Sequence, residues 1–289
     1  MEQFVQYWSH IPSLHRILLL MGGMVFFWIV EGYYPLFNFS YKKYKHAGIN
    51  LVLLSTTIVL NLLLGLFTIK ICDWVTTHHF GLLNWLNLPL WAVIIVGLLF
   101  GDLFGQYIPH LIMHKIKWLW KFHMVHHSDT HVDVTTGTRH HPGEWLFREF
   151  FMIVGVFLIG IPVWLYFLYR AVAALFTHFN HANIRVPLWI DKPFSWIFVS
   201  PNMHKAHHHF KRPLTDTNYS NIFSVWDRLF GTFAYEDPKN LRYGLDVLDD
   251  DDSVNVLDDT DDEGDGVLEV IKKIDCWESK TDEKHFNSC

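Results

Sequence analysis

Three stretches of this chain run for about the length of a lipid bilayer with almost no charge, and they limit the folds open to it more than any other feature. Ile17 to Val30 is apolar without interruption, and extends to Phe37 if Glu31 sits at a head-group boundary. Ile49 to Ile71 has no charge before Lys70, and Leu82 to Phe104 has only Asp102. A helix needs about 20 apolar residues to cross the hydrocarbon core. Only helices and closed barrels can satisfy backbone N–H and C=O groups there. The expectation is an all-α integral membrane protein with several transmembrane helices. Only 18% of the 289 residues are charged, against roughly 25% in a soluble domain. The first stretch lacks the cationic start and small-residue cleavage site of a secretory signal, so it reads as retained.

Lysine placement sets the expected orientation. Lys42, Lys43 and Lys45 lie between the first two stretches and Lys115, Lys117 and Lys121 follow the third, whereas Lys70 to Phe80 holds one Lys opposed by Asp73. Both basic segments should be cytoplasmic and the N-terminus outside. A fourth apolar run, Phe150 to Phe176, carries the triplet Gly160-Ile161-Pro162 near its middle. Gly and Pro there should turn the helix, leaving arms such as 150–160 only about 16 Å long, suited to a hairpin that returns to its starting side.

Histidine is the anomaly. The chain has 20 His but only Cys72, Cys276 and Cys289, too few and too far apart for a disulfide framework or a Cys-based metal site. His110 and His114 form HLIMH, His123, His126 and His127 form HMVHH, His178 and His181 form HFNH, and His204, His207 and His208 form HKAHH. Spacings of three and four put side chains on one helix face, so each motif should aim two or three imidazoles at one point. Ten imidazoles exceed one ion. Two six-coordinate metals would leave about two positions open, which points to an all-nitrogen, redox-capable dinuclear site. No HExxH of zinc proteases and no Glu-x-x-His pair of ferritin-type iron sites occurs. Asp102, Gln106, His110 and His114 recur every four residues, so Asp102 either orients an imidazole or marks the end of a span. The HPG of RHHPGE (His140, His141) is read as accidental.

The motifs WLWKFHMVHHS (Trp118 to Ser128), TRHHPGE (Thr138 to Glu144), HANIRVP (His181 to Pro187), SPNMHKAHHH (Ser200 to His209) and NYSNIFSVWDRLFGTF (Asn218 to Phe233) resemble the fatty acid hydroxylase superfamily, particularly its bacterial sterol desaturase-like branch. The likeness runs from about Asp102 to Phe233. It implies an integral-membrane oxygenase with a His-bound di-iron centre on the cytoplasmic side, hydroxylating, desaturating or oxidatively cleaving a lipid with dioxygen and external electrons. His110, His114, His123, His126, His127, His181, His204, His207 and His208 fall on the family's His motifs, and His178 on a position where relatives vary. Trp226, Asp227 and Arg228 are expected in the floor of the site, with Asp102, Asn218 and Asp227 supporting it.

The resulting expectation is N-terminal transmembrane helices over 1–96, a catalytic domain with a helical cap over 97–237, and an acidic tail over 238–289. The cofactor is two iron ions, with zinc as a possible substitute. The partners are the membrane, a lipid substrate and a donor such as a ferredoxin or small cytochrome, steered by Lys115, Lys117, Lys121, Lys205, Lys211 and Arg212; no nucleic acid is expected. No GxGxxG fingerprint lies in a strand–turn–helix context, so electrons must come from outside. A His-rich metal transporter or sensor is the rival, disfavoured because the His clusters lie beyond the spans. Asp246 to Asp265 holds eleven acidic residues and no Lys or Arg and reads as a disordered spacer, with Val267 to Ile274 a short helix.

Overall fold

The computed structural model describes residues 2–245; the acidic run Asp246 to Asp265 and the expected short helix Val267 to Ile274 lie outside them. Twelve α-helices and no β-strand are found among the described residues. They are α1 (Glu2–Ser9), α2 (Ser13–Tyr33), α3 (Lys43–Thr77), α4 (Leu82–Trp85), α5 (Leu90–Asp102), α6 (Ile108–Lys115), α7 (Lys117–His127), α8 (Pro142–Ile159), α9 (Val163–His181), α10 (Leu188–Phe194), α11 (Pro201–His207) and α12 (Val225–Leu229). Among the described residues, three helical segments are long and apolar enough to cross a membrane: Ser13–Tyr33, Lys43–Trp85 and Leu90–Lys115. Their outer faces expose Phe26, Ile29, Ile58, Leu62, Leu63 and Phe67, an apolar surface that a water-soluble domain would bury.

The third span begins later than the apolar pattern suggests. Leu82 to Trp85 is a separate turn at the end of the second span, and Pro89, extended at the N-cap of α5, opens the third. Pro fixes its own backbone and pushes its predecessor out of the helical region, so no continuous helix can run through 86–89.

At the far end of the bundle, Gly160 takes a left-handed conformation with φ of 75° and turns α8 into α9. Asn84 ties this turn to α4 by donating to the carbonyls of Phe80 and Gly160. The turn is the expected one, but the arms are longer than expected. α8 and α9 have 18 and 19 residues, each about 27 Å or more, because Glu144 and His178 to His181 prolong the helices past the apolar run. α8 packs on α3, while α9 packs on α1, α2 and α5. Close approach to α9 depends on Gly97, Gly101 and Gly105, one helix turn apart: a Cβ on Gly101 would stand 2.8 Å from the Tyr169 ring. Small residues at this spacing are how helices meet closely in a membrane.

At the near end, buried Glu31 accepts from the backbone N–H groups of Val134 and Asn183 and pairs with Lys43 at 2.9 Å. His46 on α3 binds Asp129 at 2.9 Å. The α2–α3 loop, the segment after α7 and the end of α9 therefore share one end of the bundle, as a returning α8–α9 hairpin requires.

Single cysteines placed at Lys117 and Arg185, both exposed, with Cys276 and Cys289 changed to Ser, should react with a membrane-impermeant maleimide from the same side of sealed vesicles. Opposite-side labelling would refute the hairpin.

Candidate metal centre

The site begins with a defect in a helix. Between α5 and α6 the chain winds one π-type turn, Leu103–Tyr107. Pro109 has no N–H to give to the preceding turn, and a wider turn absorbs the loss. Each extra residue rotates the following face by about 100°, so Asp102 and His110 do not share the four-residue stripe that the sequence suggests. Asp102, 0% exposed, accepts instead from the N–H groups of Ile222 and Phe223, both at 3.0 Å. It holds the returning chain and reaches no imidazole.

Nine of the ten candidate histidines converge in two adjoining buried groups. His110, His114, His123, His127 and His207 form one; His126, His181, His204 and His208 form the other; within each, the candidate ligand nitrogens all lie within 4.8 Å of one another. Ligands on opposite sides of one ion lie about 4.2 Å apart at bond lengths of about 2.1 Å, so each group could hold one ion. The HxxHH motifs do not each converge on a point as expected. The outer pair of HMVHH, His123 and His127, joins the first group and His126 the second; in HKAHH, His204 and His208 join the second and His207 the first. Adjacent helical residues diverge by about 100°, so the two His of an HH pair face different groups.

Six of the nine rings anchor their outward nitrogen on a protein acceptor, whereas His127, His204 and His208 do not. Nδ1 of His110 meets the Tyr219 carbonyl at 2.8 Å, that of His207 the Thr217 carbonyl at 2.6 Å, and that of His181 the Thr177 carbonyl at 2.7 Å. His114 meets Asp216 at 3.2 Å and His126 the Arg139 carbonyl at 3.3 Å. His123 meets Glu144 at 3.0 Å, and Glu144 is itself held by Arg148, whose other end binds Gln106. A carbonyl or carboxylate partner fixes the N–H on Nδ1 and leaves the Nε2 lone pair facing inward.

Those inward nitrogens test the fit of a metal. Nε2 of His110, His114, His123 and His207 is buried with no protein partner. In the second group, Nε2 of His181 lies 3.1 Å from Nε2 of both His126 and His204, close to the spacing of two nitrogens bound at right angles at about 2.1 Å. Burial first, and neighbouring imidazoles after it, push His126, His127, His204, His207 and His208 well below the ordinary histidine value. They are neutral donors, the form a metal requires, and an all-imidazole set suits iron or zinc.

His178 is the exception. It belongs to neither group, and its ring lies against α2, 3.6 Å from where a Cβ on Gly23 would stand. On α9 it precedes His181 by three residues, about 60° around the helix, enough to miss the centre.

The remaining support residues act through backbone. Asp227 accepts from the N–H groups of Tyr219 and Ser220, and so fixes the carbonyl that orients His110. Asn218, at positive φ, donates to the Met203 and Ala234 carbonyls. Trp226 Nε1 donates to the Leu99 carbonyl. Lys205, expected at the surface, is 0% exposed and gives its Nζ proton to the Ala182 carbonyl at 2.7 Å, because α11 faces it into the core. Sequence reading missed Glu144; its place three and four residues after His141 and His140, at the start of a helix, was the available signal.

Replacing Glu144 with Ala removes the acceptor that orients His123. Metal affinity, measured by chelator competition on purified protein, should fall about 10- to 100-fold, while Glu144→Gln should lose less.

A family model described as fatty acid hydroxylase matches residues 94–232. Among curated proteins, the ornithine lipid hydroxylase OlsE of Rhizobium tropici is 30% identical over 54% of this chain and 45% of its own length. The alkylglycerol monooxygenase of Xenopus tropicalis is 31% identical over 49% of this chain and 30% of its own length. A very-long-chain aldehyde decarbonylase of Oryza sativa is 33% identical over 53% of this chain and 58% of its own length. The chain thus spans about half or less of the length of most of these relatives. No solved structure matches it. The matched residues are the same helices and turns that assemble both imidazole groups, and this segment, just under half of the chain, is a domain of the fatty acid hydroxylase superfamily.

Proposed function

We propose that the chain is a membrane-bound non-haem di-iron oxygenase that oxidises a lipid with dioxygen and externally supplied electrons. One observation carries the reading: nine buried imidazoles form two adjoining groups at one end of membrane-spanning helices, with their unpartnered nitrogens turned inward. The named activities of the relatives, hydroxylation of an ornithine lipid, monooxygenation of an alkylglycerol and decarbonylation of a long-chain aldehyde, support lipid as the substrate class.

Two bound irons would supply the activation of dioxygen needed to attack an unactivated C–H bond. The chain's own residues hold and insulate the centre. His110, His114, His123, His127 and His207 would hold one ion, and His126, His181, His204 and His208 the other. Glu144, Asp216 and the carbonyls of Thr177, Thr217 and Tyr219 keep the rings aimed inward. Both groups are buried, which excludes bulk water and restricts approach to an apolar substrate.

The basic segments 42–45 and 115–121 share the end of the bundle that carries the histidines, and the positive-inside rule supports a centre on the cytoplasmic side. Lys115, Lys117, Lys121, Lys211 and Arg212 remain candidates for docking an acidic electron donor. Lys115 and Arg212 both lie near Asp216, which offsets part of that charge.

Freshly purified protein should contain close to two irons per chain by elemental analysis. His207→Ala should lose metal from the first group and abolish lipid oxidation, read by comparing the lipids of membranes that carry the wild type or the variant. His178→Gln should keep its metal and most of its turnover. Full turnover by His207→Ala would end the reading, and loss of metal in His178→Gln would show that this histidine serves the centre.

A further inference from the structure

Within the membrane-spanning region lies a second set of polar side chains that the metal centre does not use. Glu149 on α8, 3% exposed, accepts from Thr68 on α3 at 2.9 Å and Tyr166 on α9 at 3.2 Å, and pairs with Arg170 on α9 at 2.9 Å. Arg170 also donates to Asn61 on α3 at 3.3 Å. Glu149 is thus enclosed, whereas a third of the Arg170 side chain (33%) is open. Two of its five N–H donors are used, and the others have no acceptor among the described residues. A pair serving only to staple helices gains little over apolar packing, and an intramembrane cation with open donors marks a site.

Two further observations place this cation on a path to the histidines. The guanidinium lies 5.4 Å from the Trp145 ring, Trp145 lies 6.0 Å from the His140 ring, and His140 stacks on His126 at 4.8 Å. Trp145 Nε1 is itself buried without a partner, a second donor in the same neighbourhood. Along α9, Arg170, Ala174, Thr177 and His181 fall on one stripe, at spacings of four, three and four residues. Ala174 and Thr177 are small and only half-buried; the Thr177 hydroxyl bonds the Ala173 carbonyl and Asn221, and its methyl faces Gly137. The stripe leads from the cation to the second histidine group over about 16 Å.

We propose that Arg170, with Trp145 beside it, anchors the polar group of the lipid substrate, and that the α9 stripe lays the hydrocarbon chain toward the histidines. The substrate is then a long-chain lipid whose hydrogen-bond-accepting oxygen group, a carboxylate or a neutral ester or amide, sits about 16 Å from the carbon that is oxidised. This rests on reading the histidine centre as the site of lipid oxidation.

The test uses the full-length, iron-loaded protein in detergent and three photoprobes of equal length with a diazirine near the tail end: a C16 fatty acid, its primary amide and the hydrocarbon without a head group. Adducts are mapped by peptide mass spectrometry. The acid should label segment 174–181 at least 10-fold more than the hydrocarbon. Amide labelling as strong as the acid's assigns a neutral acceptor, and labelling by the acid alone an anionic one. The double variant Arg170→Gln/Glu149→Gln keeps a hydrogen-bonding, uncharged pair; it should reduce acid labelling to the hydrocarbon level with iron content unchanged. Arg170→Lys should restore part of it. Equal loss of all three probes would show a helix staple and overturn the anchor, as would acid labelling untouched by the double variant. Wild-type protein that binds no iron but labels as described would remove the proposed oxidation and leave the anchor standing. Iron-loaded protein without head-group-dependent labelling would remove the anchor alone.

Discussion

Neutral imidazoles repel one another when their lone pairs point at a common centre, and the rest of this structure is arranged around that constraint. Nine rings are packed with centroids mostly 4.4 to 5.6 Å apart in a region closed to water. Bound cations would compensate their inward nitrogens, and fixed acceptors compensate the outward nitrogens of six of them. Each element that joins the site supplies one side of this balance. α6, α7, α9 and α11 bring the rings; the segment 214–219, Thr177, Arg139 and the first turn of α8 bring the acceptors. Each of these helices ends near the centre, α6 at Lys115, α7 at His127, α9 at His181 and α11 at His207.

This balance also explains the carboxylates that do not face the metal groups. Asp102 and Asp227 spend their oxygens on backbone N–H groups of residues 219–223. That chain segment has no sheet or helix to satisfy it, and a buried N–H without a partner costs about as much as a lost hydrogen bond. By taking the Tyr219 and Ser220 donors, Asp227 fixes the Tyr219 carbonyl that orients His110, while Asp102 holds the chain just beyond it. Both act on the centre through backbone rather than by contact.

The membrane enters through the same economy of polar groups. Glu31 and His46, in or beside apolar stretches, are drawn to the near end of the bundle, where backbone donors and Asp129 receive them. Glu149 and Arg170 lie deeper and satisfy each other only in part. A polar residue at that depth survives where it has a neighbour or a ligand, which sets this pair apart from the supports of the metal centre.

Much of this was legible in the sequence. Apolar length alone gave the three spans, because a bilayer core has a fixed thickness. The GIP triplet gave the reversal, because Gly160 alone tolerates the left-handed turn. Histidine spacing gave nine of the residues in the two groups, because helical periodicity fixes which side chains share a face. What periodicity could not supply is how many points the faces address. The division of each HxxHH between two groups depends on where α7 and α11 stand relative to each other, and the exclusion of His178 on α2 lying against that face of α9. The π-turn before Pro109 rotated Asp102 away from its expected stripe. Glu144, the buried placement of Lys205 and the half-open Arg170 are likewise consequences of packing. Sequence by itself determined which groups could serve as ligands; the tertiary structure decided which nitrogens meet, since that depends on distances between residues up to about a hundred positions apart.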